Sequence, residues 1–245
     1  MTVSVRDHDA IRGVALQLQD DAPLGLLSDW AADRRLGLDV VRPDQGEPLP
    51  EPSAFAFAVV LGSERSVIGP DPGWIGGLLD WLRAADAAAV PVLGICFGAQ
   101  ALAAALGGSV RRLRTREVGW IEVETSDEDR VPSGPWLAWH EDGMTPPPLA
   151  YELARNAAGI QAFCLRRHLA VQFHPEVTAE IVASWAALGA ARLAELGLTP
   201  ADMRAATLEH ALPATERAYR LFDGFAARAG LQCAPRLRAP ARSRP

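Results

Sequence analysis

Short apolar runs alternate with longer stretches of helical periodicity along most of the chain. VALQLQ (14–19), LDVVRP (38–43), FAFAVVL (55–61) and PVLGI (91–95) are each bounded by Gly, Pro or Asp, the pattern of buried strands. Between the third and fourth runs, Ile75, Leu78, Leu79 and Leu82 recur at offsets that share one face of an amphipathic helix, with Pro72 suited to its first turn. Strand, helix, strand, helix in that order predicts an α/β fold: a mostly parallel sheet covered on both faces. After Gly108 the texture changes. VRRLRTREVGWIEVET and PWLAWH alternate more, and GIQAFCLRR and HLAVQFH follow with short connections, so small antiparallel additions to the sheet are expected. From about Val177 to about residue 230 the pattern is helical, with Pro200 and Pro213 marking two breaks. Ala218, Phe222 and Phe225 repeat at helical spacing, so residues 191–232 are expected to form a helical extension packed on the body. Residues 1–10 are expected to be flexible and the Pro- and Arg-rich stretch 233–245 disordered.

Composition narrows the function. At 245 residues, 49% hydrophobic and 22% charged, the chain suits one sizeable core. A net charge of -6 argues against a nucleic-acid face, which needs clustered cations. No apolar run approaches the roughly 20 residues of a membrane span, and the start MTVSVRDHDAIRG is too charged for a signal segment. A cytoplasmic protein with neither membrane nor nucleic-acid partner is expected. All 24 basic residues are Arg, which excludes a Schiff-base lysine, a phosphate-loop lysine and a lysine general base. Asn156 is the single asparagine, and the three cysteines (Cys96, Cys164, Cys233) are widely spaced, against a disulfide framework or structural zinc.

The strongest local signal is Gly94-Ile95-Cys96-Phe97-Gly98, where a buried strand gives way at once to a helix of small residues. G-x-C-x-G is the cysteine version of a nucleophile elbow: a sharp, strained turn that exposes the side chain in front of a helix N-terminus. The same residues also suit a buried structural cysteine in a tight turn. A cysteine nucleophile generally wants a base and a group to orient it. Of the five histidines, His8 lies in the N-terminal stretch, His168 follows two arginines in an expected solvated turn, and His210 reads as a surface residue of a helix. His140 and His174 remain. VQFHPE ends an apolar strand at His174, where α/β folds gather their sites, and Glu176 follows two residues later on the same face.

GICFGAQ and VQFHPE together resemble the two signatures of the class I (triad) glutamine amidotransferase domain, in that order and at that family's spacing. VVLGSERSV (59–67) is similar to the family's loop after a strand, WHEDG (139–143) to its W-H-x-D stretch, and EVGW (117–120) to stand-alone members related to the amidotransferase domain of GMP synthase. The resemblance assigns residues 11–190 to such a domain, with a flavodoxin-like architecture. It implies Cys96 as nucleophile, His174 as base and acid, and Glu176 as its orienting partner. It implies an oxyanion site from the backbone N–H of Phe97 and the loop Gly62-Ser63, with Gln100 helping to hold the substrate's amino-acid end. Where many members read Gly-Gly-Pro, this chain reads Gly62-Ser63-Glu64; a left-handed backbone at Ser63 would cost about 1–2 kcal/mol.

No cofactor and no metal is expected. His140-Glu141-Asp142 are adjacent and cannot all face one ion. Trp74 and Trp81 read as core or rim, Cys164 as an inert small hydrophobe, and Arg111, Arg112, Arg114 and Arg116 as a solvated strand face or a partner-docking surface. The resemblance implies hydrolysis of glutamine through a γ-glutamyl thioester to glutamate and ammonia, for a separate ATP-dependent synthetase. Two alternatives stand beside it: a stand-alone γ-glutamyl amide or peptide hydrolase using the same triad, and an inactive regulatory or binding subunit.

Overall fold

The structure, a computed structural model, describes residues 11–232. The expectations for residues 1–10, His8, Cys233 and 233–245 fall outside the described residues. Among the described residues nine strands form one sheet: β1 (Arg12–Leu16), β2 (Gly37–Val41), β3 (Phe57–Val60), β4 (Val92–Ile95), β5 (Ser109–Thr125), β6 (Gly134–Thr145), β7 (Tyr151–Asn156), β8 (Gly159–Leu165) and β9 (His168–Val171). Their order is β2-β1-β3-β4-β9-β8-β7-β5-β6. The first five in that order run parallel, and the rest are antiparallel. The sheet is therefore α/β with an antiparallel wing, as the alternation of runs predicts.

HLAVQFH differs from expectation. It pairs in parallel with β4 on one side and antiparallel with β8 on the other, so it completes the parallel set. It is buried throughout, as a central strand must be. The β7 segment has few apolar residues, and no strand is predicted there from its pattern.

Among the described residues six α-helices cover the sheet: α1 (Leu26–Asp33), α2 (Ile75–Ala87), α3 (Phe97–Ala105), α4 (Ala179–Leu188), α5 (Ala190–Glu195) and α6 (Pro200–Ala229). Two core layers flank it. One joins α1 and α6 through Trp30, Phe222 and Phe225; the other joins α2 and α3 through Leu78, Leu82, Phe97 and Leu102. Pro72 lies outside α2, and the helix start is held instead by Asp71, whose carboxylate accepts from the N–H groups of Gly73, Ile75 and Gly76. These bonds hold the Asp71 carboxyl below the usual carboxylate range. Pro200 is the first residue of α6, not a break within it, behind a capping box made by Thr199 and Asp202. Pro213 breaks nothing: α6 continues through it, because the packing of Ala214, Ala218 and Phe222 on the core outweighs one lost backbone bond. Among the described residues no helix is long and apolar enough to cross a membrane.

Candidate active site

Three adjacent parallel strands, β3, β4 and β9, end side by side, and each delivers part of one site just past its carboxyl end. β3 runs into Gly62, β4 into Cys96 and β9 into His174. Cys96 sits at φ 52° and ψ -108°, a conformation costly for any residue with a Cβ, and caps α3. Its backbone N–H is pinned to the Val171 carbonyl at 2.8 Å, which ties the turn to β9. The flanking glycines serve close approach, not the turn itself. A Cβ on Gly98 would run into the Val60 carbonyl, and one on Gly94 would meet the Gly98 oxygen at 2.7 Å. Only glycine lets α3 press onto the sheet here, and the positive φ falls on the cysteine between them.

His174 is fixed from three sides. Its backbone N–H donates to the Leu137 carbonyl at 2.8 Å, its ring lies edge-on to Trp185 at 4.8 Å, and Nδ1 bonds Glu176 Oε1 at 2.8 Å. With Nδ1 committed to the carboxylate, Nε2 is left buried with no hydrogen-bond partner among the described residues. Burial would push the imidazole down. The negative charge of Glu176, together with Cys96, outweighs it and raises His174 to about 10. Gly62 stands between the two side chains: a Cβ there would lie 3.0 Å from His174 Cε1 and 3.7 Å from Cys96 Cβ, so one methyl-sized group would touch both.

The loop after Gly62 is held without strain. Ser63 is not among the residues with positive φ, so its backbone suits a side chain and the penalty attached to it does not arise. Glu64 N–H donates to Gln19 Oε1 at 2.6 Å, and the Ser66 hydroxyl donates to Asp142. Gln100 is buried, with Nε2 donating to the Asp142 carbonyl at 3.0 Å and to Gln172 at 3.2 Å, and it lines the cavity beside Cys96. Phe97 is the first residue of α3, where backbone N–H groups have no helical acceptor.

The cavity, of about 370 Å³, is lined by Cys96, His174, Gly62, Ser63 and Gln100 together with Asp21, Arg65, Arg112, Trp185 and Arg192. Arg112 belongs to the arginine run on β5, and it is not simply solvated: it pairs with Glu141 at 2.6 Å and Asp142 at 3.2 Å. The sequence gives no sign of Trp185 or Arg192, which α4 and α5 bring in from far along the chain. His140 lies in a buried network behind the cavity, with Nδ1 on the Asp142 carbonyl at 3.0 Å and Nε2 3.2 Å from Glu117. Burial works to raise Glu117, but bonds from His140, Asn156 and Gln161 hold it below the usual carboxylate range. No cluster able to hold a metal occurs among the described residues.

Two histidines differ from expectation. His168 is buried, not solvated: Nδ1 accepts from Val92 N–H at 3.1 Å and Nε2 faces Asp86 at 2.9 Å. An accepting Nδ1 carries no proton, so this imidazole is neutral; burial lowers its proton affinity and Asp86 only partly opposes that. His210 is half-buried against Trp120, with 5.3 Å between ring centroids. Cys164 is fully buried, Trp81 is buried and donates to the Pro50 carbonyl at 2.6 Å, and Trp74 lies edge-on to Phe97.

Comparison with known proteins places this geometry in context. The profile described as glutamine amidotransferase class-I matches residues 53–182. A glutamine-hydrolyzing GMP synthase subunit from Sulfolobus acidocaldarius is 34% identical over 151 residues, covering 58% of this chain and 78% of that protein. A glutamine-hydrolyzing GMP synthase from Nitrosomonas eutropha is 41% identical over 105 residues, but the match spans 20% of its length and 36% of this chain. Among solved structures, a glutamine amidotransferase from Thermotoga maritima superposes with TM-score 0.82 at 22% identity, covering 89% of this chain and 99% of that one. One from Methylobacillus flagellatus gives 0.82 at 24%, covering 95% and 100%. At that identity these two speak for the fold alone.

Proposed function

The chain belongs to the class I glutamine amidotransferase family, whose members are enzymes, and from that premise we propose that it hydrolyses the side-chain amide of glutamine through Cys96, His174 and Glu176. The observation that carries the reading is the buried imidazole of His174. It is bonded to Glu176 on one nitrogen, free on the other, and shares the space under Gly62 with Cys96. In this reading the sulfur of Cys96 attacks the amide carbon, and the oxygen's developing charge is met by Phe97 N–H and the Gly62-Ser63 loop. His174 holds the proton taken from the thiol and hands it to the departing ammonia, while Glu176 fixes the tautomer that leaves Nε2 toward the sulfur. A proton affinity near 10 keeps that proton available at neutral pH. Water then cleaves the γ-glutamyl thioester to glutamate. Gln100 is assigned to the amino-acid end of the substrate.

The relatives' names extend the proposal to a partner: ammonia released here is passed to a separate synthetase chain that activates the acceptor. Glutamate release by the purified protein tests the core of it. Cys96→Ala is expected to retain below about one-thousandth of the wild-type rate, and a glutamine-like diazoketone to label Cys96. Equal rates in the two proteins would overturn the reading.

A further inference from the structure

β5 and β6 pair in antiparallel register on either side of one irregularity. Between the pairs Arg112–Asp142 and Glu117–His140, four residues of β5, Leu113 to Arg116, stand opposite Glu141 alone. A bulge of this kind interrupts the ladder and re-aims the side chains beside it. At this one the side chains of His140 and Glu117 are largely buried, 2% and 12% exposed. The Asp142 backbone carbonyl next to them takes two side-chain donors, His140 Nδ1 and Gln100 Nε2, each at 3.0 Å.

A carbonyl only accepts, so His140 Nδ1 carries a proton. On the other side of the ring, Nε2 lies 3.2 Å from Glu117 Oε2. Glu117 is itself fixed from β7 and β8: Asn156 donates to Oε1 at 2.6 Å and Gln161 to Oε2 at 2.8 Å. The imidazole is therefore a strut between an anchored carboxylate and the Asp142 carbonyl. Glu117, Asn156 and Gln161 are not among the residues that line the cavity, so whatever they do for the site they do through others.

The strut ends at Gln100. Its backbone N–H donates to the Cys96 carbonyl at 3.0 Å, so it stands one turn of α3 past the cysteine. Its side chain is buried, and Nε2 donates to two acceptors, the Asp142 carbonyl and Gln172 Oε1 at 3.2 Å. A primary amide has two N–H donors, and both are spent on this clamp. The clamp fixes which way the amide faces and leaves its oxygen for the cavity. Its Asp142 half is only as firm as the carbonyl that His140 holds.

Resting on the assignment of Gln100 to the amino-acid end of glutamine, we propose that Glu117 and His140 are positioning residues for that substrate: through the Asp142 carbonyl they set the direction of the Gln100 amide. Neither touches the reacting atoms, and the chemistry at Cys96 is left to His174 and Glu176.

The test measures KM and kcat for glutamate release from glutamine by the purified full chain. Glu117→Gln keeps the shape of the side chain but sets an N–H group among donors. It is expected to raise KM about fivefold with kcat within about twofold, because binding of glutamine is disturbed and the chemical step is not. His140→Ala should raise KM about tenfold. His140→Asn, whose amide N–H can stand in for Nδ1 before the Asp142 carbonyl, should recover most of that rise. Gln100→Ala is expected to raise KM on its own account, and adding Glu117→Gln to it should raise KM by less than a further twofold, the non-additivity of residues that act through one another. An unchanged KM in Glu117→Gln or in Gln100→Ala, a fall in kcat in place of the rise in KM, or a fivefold effect of Glu117→Gln that persists without Gln100 overturns the proposal and leaves the glutaminase reading standing. If His140→Ala does not fold, the Glu117→Gln and Gln100→Ala pair decides alone. Absence of Cys96-dependent turnover in the wild type overturns both.

Discussion

Single residues in this protein act chiefly by where they keep their neighbours. Gly25 is the clearest case. It caps α1 at φ 50°, and a Cβ there would run into the carbonyl oxygen of Glu176, the same oxygen that accepts the Leu26 N–H at 2.8 Å. Gly25→Ala must displace Glu176, and a displaced carboxylate misaims His174. We expect kcat/KM for glutamate release to fall about 100-fold. Gly46→Ala is the matched control, since Gly46 also has a positive φ but nothing within 4 Å, and it should leave kcat/KM unchanged. The same logic gives Glu176→Gln a signature in the pH profile. The carboxylate raises His174 to about 10, so the alkaline arm of kcat/KM should lie near there in the wild type. Removing the charge should bring that arm down by about one unit or more, toward the ordinary histidine value of about 6.5. An arm that does not move would deny Glu176 its assigned part. The strand-to-helix turn at Cys96 and the His174–Glu176 pair are legible in the sequence because each sits in a short local motif. Gly25 is not, because its constraint is a contact with a residue about 150 positions away that no spacing encodes.

Elements follow the sequence where one face decides their fate and depart from it where partners do. The buried runs of β1, β3 and β4 carry their own signal in uninterrupted apolar residues. β7 reads YELARN, and it forms because β5 and β8 offer hydrogen bonds on both sides, information absent from its own six residues. His168 shows the same limit: beside two arginines it reads as solvated, yet it seals the start of β9 against β4 and α2. Here the bond to Val92 N–H makes a testable claim. His168→Leu fills the space but leaves that buried N–H without an acceptor, and the cost should be about 1–3 kcal/mol in urea unfolding at neutral pH. His168→Gln, which can restore an acceptor, should recover part of it. α6 supplies the opposite lesson. Pro213 is a breaker by local rules, but a 30-residue helix with a buried face tolerates it.

At the scale of the whole molecule, the site is a cost carried by the fold. α6 lies along one layer of the sheet, where Asp223 takes hydrogen bonds from Trp30 at 2.9 Å and Arg34 at 2.8 Å and locks α1 beneath it. That scaffold holds Gly25, and through it Glu176, in place against a buried charge on His174. The proton on His174 is linked to global stability. A group whose proton affinity is higher in the folded state than in the unfolded chain stabilises the fold fully below its unfolded value, about 6.5, and that contribution is lost as pH rises through about 10. In this window the folded state binds more protons than the unfolded chain, so unfolding free energy falls with pH. Glu176→Gln lowers the folded value, so its own loss comes at lower pH. The difference in unfolding free energy between wild type and Glu176→Gln should therefore be largest near pH 6 and shrink toward pH 10, as measured by urea midpoints across that range. A gap that widens with pH would mean that His174 is held neutral in the folded protein, and the acid role assigned to it would have to pass to another group.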